Sequence, residues 1–100
     1  MTFDEKLEYL RNKLEMQQIE RLHQQKLVCE GNLINAKCSL SFGKKYIRLD
    51  IGTSGRYMIE NETGAIYGIK AYGVIHRGHY YGTLETVDSY NWGDYTAYSI

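Results

Sequence analysis

The chain of 100 residues contains no proline. Every break in its secondary structure must therefore come from glycine or from polar turn residues, not from a missing backbone donor. Cysteine is scarce. Cys29 and Cys38 are too few for a disulfide framework and read as buried apolar thiols. No apolar run approaches the roughly 18 residues needed to cross a bilayer. The start, Met1-Thr2-Phe3-Asp4-Glu5, is acidic and lacks the apolar core of a secretory signal, which predicts a cytoplasmic protein with no membrane partner. Phenylalanine and tryptophan are nearly absent, two and one against ten tyrosines, so tyrosine must fill part of any core.

The net charge of zero conceals an arrangement. Residues 1–40 are balanced. Residues 41–82 carry six Lys/Arg against Asp50, Glu60 and Glu62. Residues 83–100 carry only Glu85, Asp88 and Asp94. A basic body is followed by an acidic, aromatic tail. That permits anion binding by the body, or neutralisation of the body by the tail.

Residues 3–29 hold no glycine and are rich in Glu, Gln, Lys, Arg and Leu, all strong helix formers. Thr2 or Asp4 caps the start, and Glu5 and Glu8 suit the positive end of the helix dipole. Phe3, Leu7, Leu10 and Leu14 form one stripe at a 4-3-4 spacing, which Ile19, Leu22 and Cys29 continue with a drift. The pattern predicts a single helix over about 27 residues, ~40 Å long. A rod of that length outruns a small β domain. Phe3, Leu7, Leu10, Leu14 and Leu22 are therefore expected to form a coiled-coil-like contact, making the protein a homo-oligomer. Segment 1–30 is read as this helix, ended by Gly31-Asn32, and 31–100 as one antiparallel β domain.

The period then changes to two. Ile34, Ala36, Cys38, Leu40 and Phe42 alternate with polar residues and predict a strand. Gly43-Lys44 predicts a two-residue hairpin loop with positive φ at the glycine. A second strand follows over 45–51, with Ile47, Leu49 and Ile51 on one face. A third is predicted over 56–60, a type I turn at Asn61-Glu62-Thr63-Gly64, and a fourth strand over 65–72. Gly73 breaks it, residues 74–76 continue, and His76-Arg77-Gly78-His79 turns the chain. Thr83 caps a short helical turn over 84–90, and Trp92 anchors a packed tail. The fold class is α+β: a long amphipathic helix, then a meander of four to six short strands, with a small SH3-like barrel as the alternative.

From Arg48 onward the segments Asp50-Ile51-Gly52-Thr53-Ser54-Gly55-Arg56-Tyr57-Met58-Ile59 and Thr63-Gly64-Ala65-Ile66-Tyr67-Gly68-Ile69-Lys70-Ala71-Tyr72-Gly73-Val74-Ile75-His76-Arg77-Gly78-His79-Tyr80-Tyr81-Gly82-Thr83-Leu84 resemble small proteins encoded by bacteriophages and mobile elements. The resemblance covers about the last half of the chain. It implies provenance rather than mechanism, and a bacterial host cell as the setting. Phage accessory proteins of this size are often inhibitors or sponges acting on a host system, an analogy of origin only.

Two regions are candidates for function. Lys70, Tyr72, Gly73, His76, Arg77, Gly78, His79 and Tyr80 gather glycines, imidazoles and cations, the ingredients of a loop that holds a nucleotide or another phosphate-bearing ligand. The same glycines also serve plain turns. No GxxxxGK[ST] or GxGxxG phosphate cradle is present. The histidines lack the further N, S or O donors that zinc needs, so neither metal nor cofactor is expected. Metal-free RNA cleavage by the pair lacks a fixed geometry, and the chain reads as non-catalytic. The second candidate is a sheet face carrying Tyr46, Arg48, Arg56, Tyr57 and Tyr67. Rings and cations together make hot spots for a protein or nucleoprotein partner. They also make stacking platforms for nucleic acid, though a body charge of +3 is weak for that role. The leading expectation is an accessory binding protein that recognises a host protein or nucleoprotein.

Overall fold

The computed structural model describes residues 2–27, 29–52, 54–71, 74–92 and 97–100, with only the backbone at 70 and 71. The order is helix α1 (Phe3–Gln24), helix α2 (Glu30–Ala36), and strands β1 (Cys38–Phe42), β2 (Tyr46–Ile51), β3 (Ser54–Glu60), β4 (Ala65–Ala71) and β5 (Val74–Thr83). A 3₁₀ turn at Val87–Ser89 leads to two short strands, β6 (Tyr90–Asn91) and β7 (Tyr98–Ser99). The five main strands form one antiparallel meander, β1-β2-β3-β4-β5, with β6 and β7 paired separately. The sheet is open, unlike the closed barrel considered as the alternative.

α1 begins with a capping box. Thr2 Oγ1 accepts from Glu5 N at 3.2 Å, and Glu5 Oε1 accepts from Thr2 N at 3.1 Å. The helix stops at Gln24, earlier than its composition predicts. Lys26 takes the left-handed conformation, φ +57°. Leu27 N donates to Leu22 O at 2.9 Å and Lys26 N to His23 O at 3.2 Å. These two bonds make a Schellman motif, with lysine in place of the usual glycine. A 22-residue helix is ~33 Å long. The molecule's longest dimension is 39 Å.

Leu7, Leu10 and Leu14 pack into the core with Cys38, Ile47, Leu49, Tyr57, Ile59 and Ile66. Each of the three leucines is at most 1% exposed. The stripe assigned to an oligomer interface is thus covered by the chain's own sheet, because the helix lies on the apolar face the alternating strands create. Phe3 stays exposed at the helix start, and Leu22 is half-buried near its end. Burial of each leucine stabilises the fold by roughly 1.5–3 kcal/mol. Glu15 and Arg11 then tie the helix to the first strand: Cys38 N donates to Glu15 Oε1 at 2.8 Å, and Arg11 Nη1 donates to Cys38 O at 3.2 Å. On its other flank, Lys13 Nζ and Tyr9 Oη both donate to Asp88 Oδ1, at 2.6 and 2.7 Å. Those two bonds hold the Asp88 carboxyl below its ordinary range, the ammonium of Lys13 contributing most.

Residues 34–36, predicted to begin a strand, form the end of α2 instead, so strand β1 starts at Cys38. Gly31-Asn32 lies inside that helix rather than terminating α1. Cys29 precedes α2 and is exposed, whereas Cys38 is buried; both thiols are free. The β1–β2 connection spans 43–45, closed by Gly43 N donating to Tyr46 O at 3.0 Å. Gly43 is not among the residues at positive φ, and its bond to Tyr46 continues the Phe42–Ile47 register, so the two-residue loop falls at Lys44-Lys45, one position later than predicted. A turn does fall at 61–63, with Gly64 at φ +73° and its N–H donating to Glu60 O at 2.8 Å.

Trp92 is fully buried. Its Nε1 donates to Val87 O at 2.9 Å, its backbone N donates to Gln17 Oε1 at 2.6 Å, and its carbonyl accepts from Gln18 Nε2 at 3.0 Å. The tryptophan therefore locks the C-terminal segment to α1 and closes the far end of the core.

Candidate functional site

Register assigns each sheet residue to a face. On the face away from α1, Ser41 pairs with Arg48, Arg48 with Met58, Met58 with Tyr67, and Tyr67 with Tyr80. Tyr46 pairs with Glu60 one step along the same face. This row forms a joined cluster. The Arg77 guanidinium lies 5.7 Å from the Tyr46 ring centre and 5.4 Å from that of Tyr67. It donates to Tyr46 Oη and stands 3.8 Å from a Glu60 oxygen. The Tyr67 and Tyr80 rings follow at 5.6 Å, and Lys45 covers Tyr46 at 5.5 Å. Arg48 Nε donates to Asp50 Oδ1 at 3.0 Å and extends the row toward β1. Tyr80 is 53% exposed, and the Arg77 side chain is equally open.

Of the five residues expected on a recognition face, Tyr46, Arg48 and Tyr67 are together on it. Tyr57 is not. It is 2% exposed on the helix side, edge-on to Tyr81 and to Trp92 at 5.3 Å each. Its hydroxyl accepts from Ala97 N at 3.0 Å, and burial pushes the phenol up to about 12. Arg56 leaves the face for a different reason. Leu49 pairs with Tyr57, but the next residue, Asp50, pairs with Gly55. Arg56 is the extra residue of a β-bulge, and it lines the same hollow as Tyr57.

A second bulge reshapes the predicted loop. Residues 76–79 do not turn the chain; they belong to strand β5. Tyr67 pairs with Tyr80 while its neighbour Gly68 pairs with His76, leaving Arg77, Gly78 and His79 as extra residues. The glycine-rich sequence thus makes a wide bulge, with the polar cluster split between the faces. Arg77 joins the open tyrosines. His79 goes to the helix side, where its ring stacks on His76 at 4.0 Å and 21° and lies 6.5 Å from Tyr81. Gly68 admits this: a Cβ there would sit 3.0 Å from His79 Cβ. Of the anion-site expectation, Lys70's side chain, Tyr72 and Gly73 lie outside the described residues, and Gly78 and Tyr80 sit in β5. Residues 76–80 therefore do not form one site: the bulge separates Arg77 from His79 across the sheet.

Among the described residues no group of three or more His, Cys, Asp and Glu could hold a metal, and no helix is long and apolar enough to cross a membrane. No family model, curated protein or solved structure matches the chain.

Sequence reasoning missed Arg77 and Tyr80 as members of the tyrosine face, and Tyr81 as a wall of the inner hollow. Ring spacing along β5 held no signal for this, because the bulge shifts the alternation between Tyr80 and His76.

Proposed function

We propose that the chain is a non-catalytic binding protein whose sheet face of Tyr46, Tyr67, Arg77 and Tyr80, flanked by Arg48, recognises a protein surface. The observation that carries this reading is Arg77, held against two tyrosine rings with a third beside them. The arginine is pre-oriented and little side-chain entropy is lost on docking. Tyrosine and arginine contribute disproportionately to protein interfaces. Glu60 and Asp50 are interleaved with the cations. That mixture suits a partner offering both signs of charge and disfavours a polyphosphate backbone, which would meet carboxylates in the row. The resemblance to phage and mobile-element proteins supports a bacterial host protein as the partner, with interference in a host system as the biological outcome.

The experiment is affinity capture from bacterial lysate with the full chain, with Arg77→Glu and Tyr80→Ala as parallel baits. A host protein retained by the wild-type chain and lost from both variants supports the reading. An identical retained set from all three baits overturns it.

A further inference from the structure

The sheet has two outer strands, β1 and β5, and they differ. β5 is broken by the bulge at 77–79, an irregularity that keeps an incoming strand from following it. β1 is straight, pairing with β2 from Cys38↔Ile51 to Phe42↔Ile47 without a shift. The register shows which of its backbone groups point outward. Gly52 N donates to Lys37 O and Gly43 N to Tyr46 O, so the odd-numbered residues from 37 to 43 bond inward to β2. Cys38, Leu40 and Phe42 therefore turn their N–H and C=O away from the sheet. Glu15 and Arg11 hold those of Cys38. No hydrogen bond among the described residues reaches those of Leu40 or Phe42. The Phe42 side chain lies on the helix side of the sheet with Cys38 and Leu40, and the residue is 67% exposed. A straight edge with two bare rungs and an open ring is a template for another strand.

We propose that β1 pairs with β1 of a second copy of this chain across a two-fold axis, with Leu40 opposite Phe42 and Phe42 opposite Leu40. The contact uses the sheet border, not the leucine stripe of α1, which the chain's own sheet covers. The held rung fixes the register. Antiparallel pairing centred on Ser41 satisfies every bare N–H and C=O of Leu40 and Phe42 in both copies. The next register on one side would set Phe42 opposite Cys38, whose groups α1 already holds. The next on the other side would set Leu40 opposite the turn at Lys44. Side-chain chemistry agrees. On the helix side each Phe42 ring covers Leu40 of the other copy and leaves water. On the other side Ser39, Ser41 and Gly43 meet, so the paired segment 38–43 sets no charge against charge. Just beyond it, Lys44 of one copy comes beside the α1 flank of the other, where Glu8 and Glu15 outnumber Arg11. Two rungs and two rings make a small interface, of the weak and reversible class. An antiparallel two-fold of this kind runs perpendicular to the sheet. Both faces of Tyr46, Tyr67 and Arg77 then look the same way, and a partner with a repeated surface would meet two sites at once. The pairing itself does not depend on what that face binds.

The test is sedimentation of the full chain from about 10 µM to about 1 mM, which should show a reversible monomer–dimer equilibrium. Phe42→Lys, at an exposed position, should raise the dissociation constant at least about tenfold, with Tyr80→Ala unchanged. Amide hydrogen exchange in the unmutated protein locates the contact free of folding defects. The Leu40 and Phe42 amides should exchange fast in dilute samples and slowly in concentrated ones, whereas those of Ser39 and Ser41 should be protected in both. A monomer across the whole range, a dimer that leaves Leu40 and Phe42 unprotected, or a dimer indifferent to Phe42→Lys would overturn the proposal. Protection gained only when bacterial lysate is added would assign the edge to a foreign strand and overturn it equally.

Discussion

Beneath α1, the sheet carries Ile47, Leu49, Ile59 and Ile66, each at most 1% exposed, together with Tyr57. On the opposite face the same strands carry Tyr46, Arg48, Tyr67 and Tyr80, all partly or largely open. Both faces use tyrosine, but for different ends. Tyr57 is wedged among rings and donates its shape to the core, its hydroxyl bound to the backbone of Ala97. Tyr67 lies against a cation and leaves ring surface to solvent. A protein with so few phenylalanines must use one amphipathic residue type on both sides, and the helix decides which tyrosines are structural. The contrast also separates stability from recognition: substitutions under the helix should unfold the protein, whereas those on the open face should leave it folded and deprive it of its partner.

The largest contrast concerns the two thiols. Burial beneath α1 pushes the Cys38 thiol up to about 12, from an ordinary 9.0. That leaves roughly a thousandfold less thiolate near neutral pH. Timed alkylation at pH 8 should label exposed Cys29 within minutes and Cys38 only after denaturant is added. Equal labelling rates would mean that the helix does not cover β1. Next in size, Leu10→Ala should cost about 2–5 kcal/mol, read from denaturant unfolding, because it opens a cavity between helix and sheet. Tyr67→Ala on the other face should cost no more than about 1 kcal/mol in the same assay. Similar losses for the two would break the distinction between faces. Smallest is a gain. Lys26→Gly should stabilise the chain by about 0.5–1 kcal/mol in the same unfolding measurement, since glycine occupies the left-handed conformation without the Cβ penalty.

Much of the architecture is legible from residue order alone. The capping box at Thr2–Glu5, the leucine spacing, the alternation in 46–51 and the glycine of the Asn61–Gly64 turn each state a local preference that tertiary structure reinforces. The errors have physical causes. α1 ends on a lysine in a conformation that glycine normally occupies, so no residue type announces the stop. Ile34 and Ala36 match a strand period, yet they close a short helix. At the candidate site, Arg56 and Tyr57 are neighbours on a strand and cannot share a face by alternation, so residue type alone misplaces Tyr57. The bulges at Arg56 and at 77–79 depend on pairing across strands, which a single sequence does not display. Arg77 and Tyr80 could be named as polar and aromatic, but only the register shows that they meet Tyr46 and Tyr67.

Strand β1 lies at the border of the sheet, and its first rung is already taken. Lys37 O accepts from Gly52 N on the inner side, while the outward N–H and C=O of Cys38 are held by Glu15 and Arg11 from the helix. A foreign strand arriving there meets two charged side chains instead of a bare ladder, and must begin its pairing further along. The ion pair that steadies the helix therefore also stands as a guard against edge-to-edge aggregation, and its removal should show as turbidity in concentrated samples as well as a lower melting point.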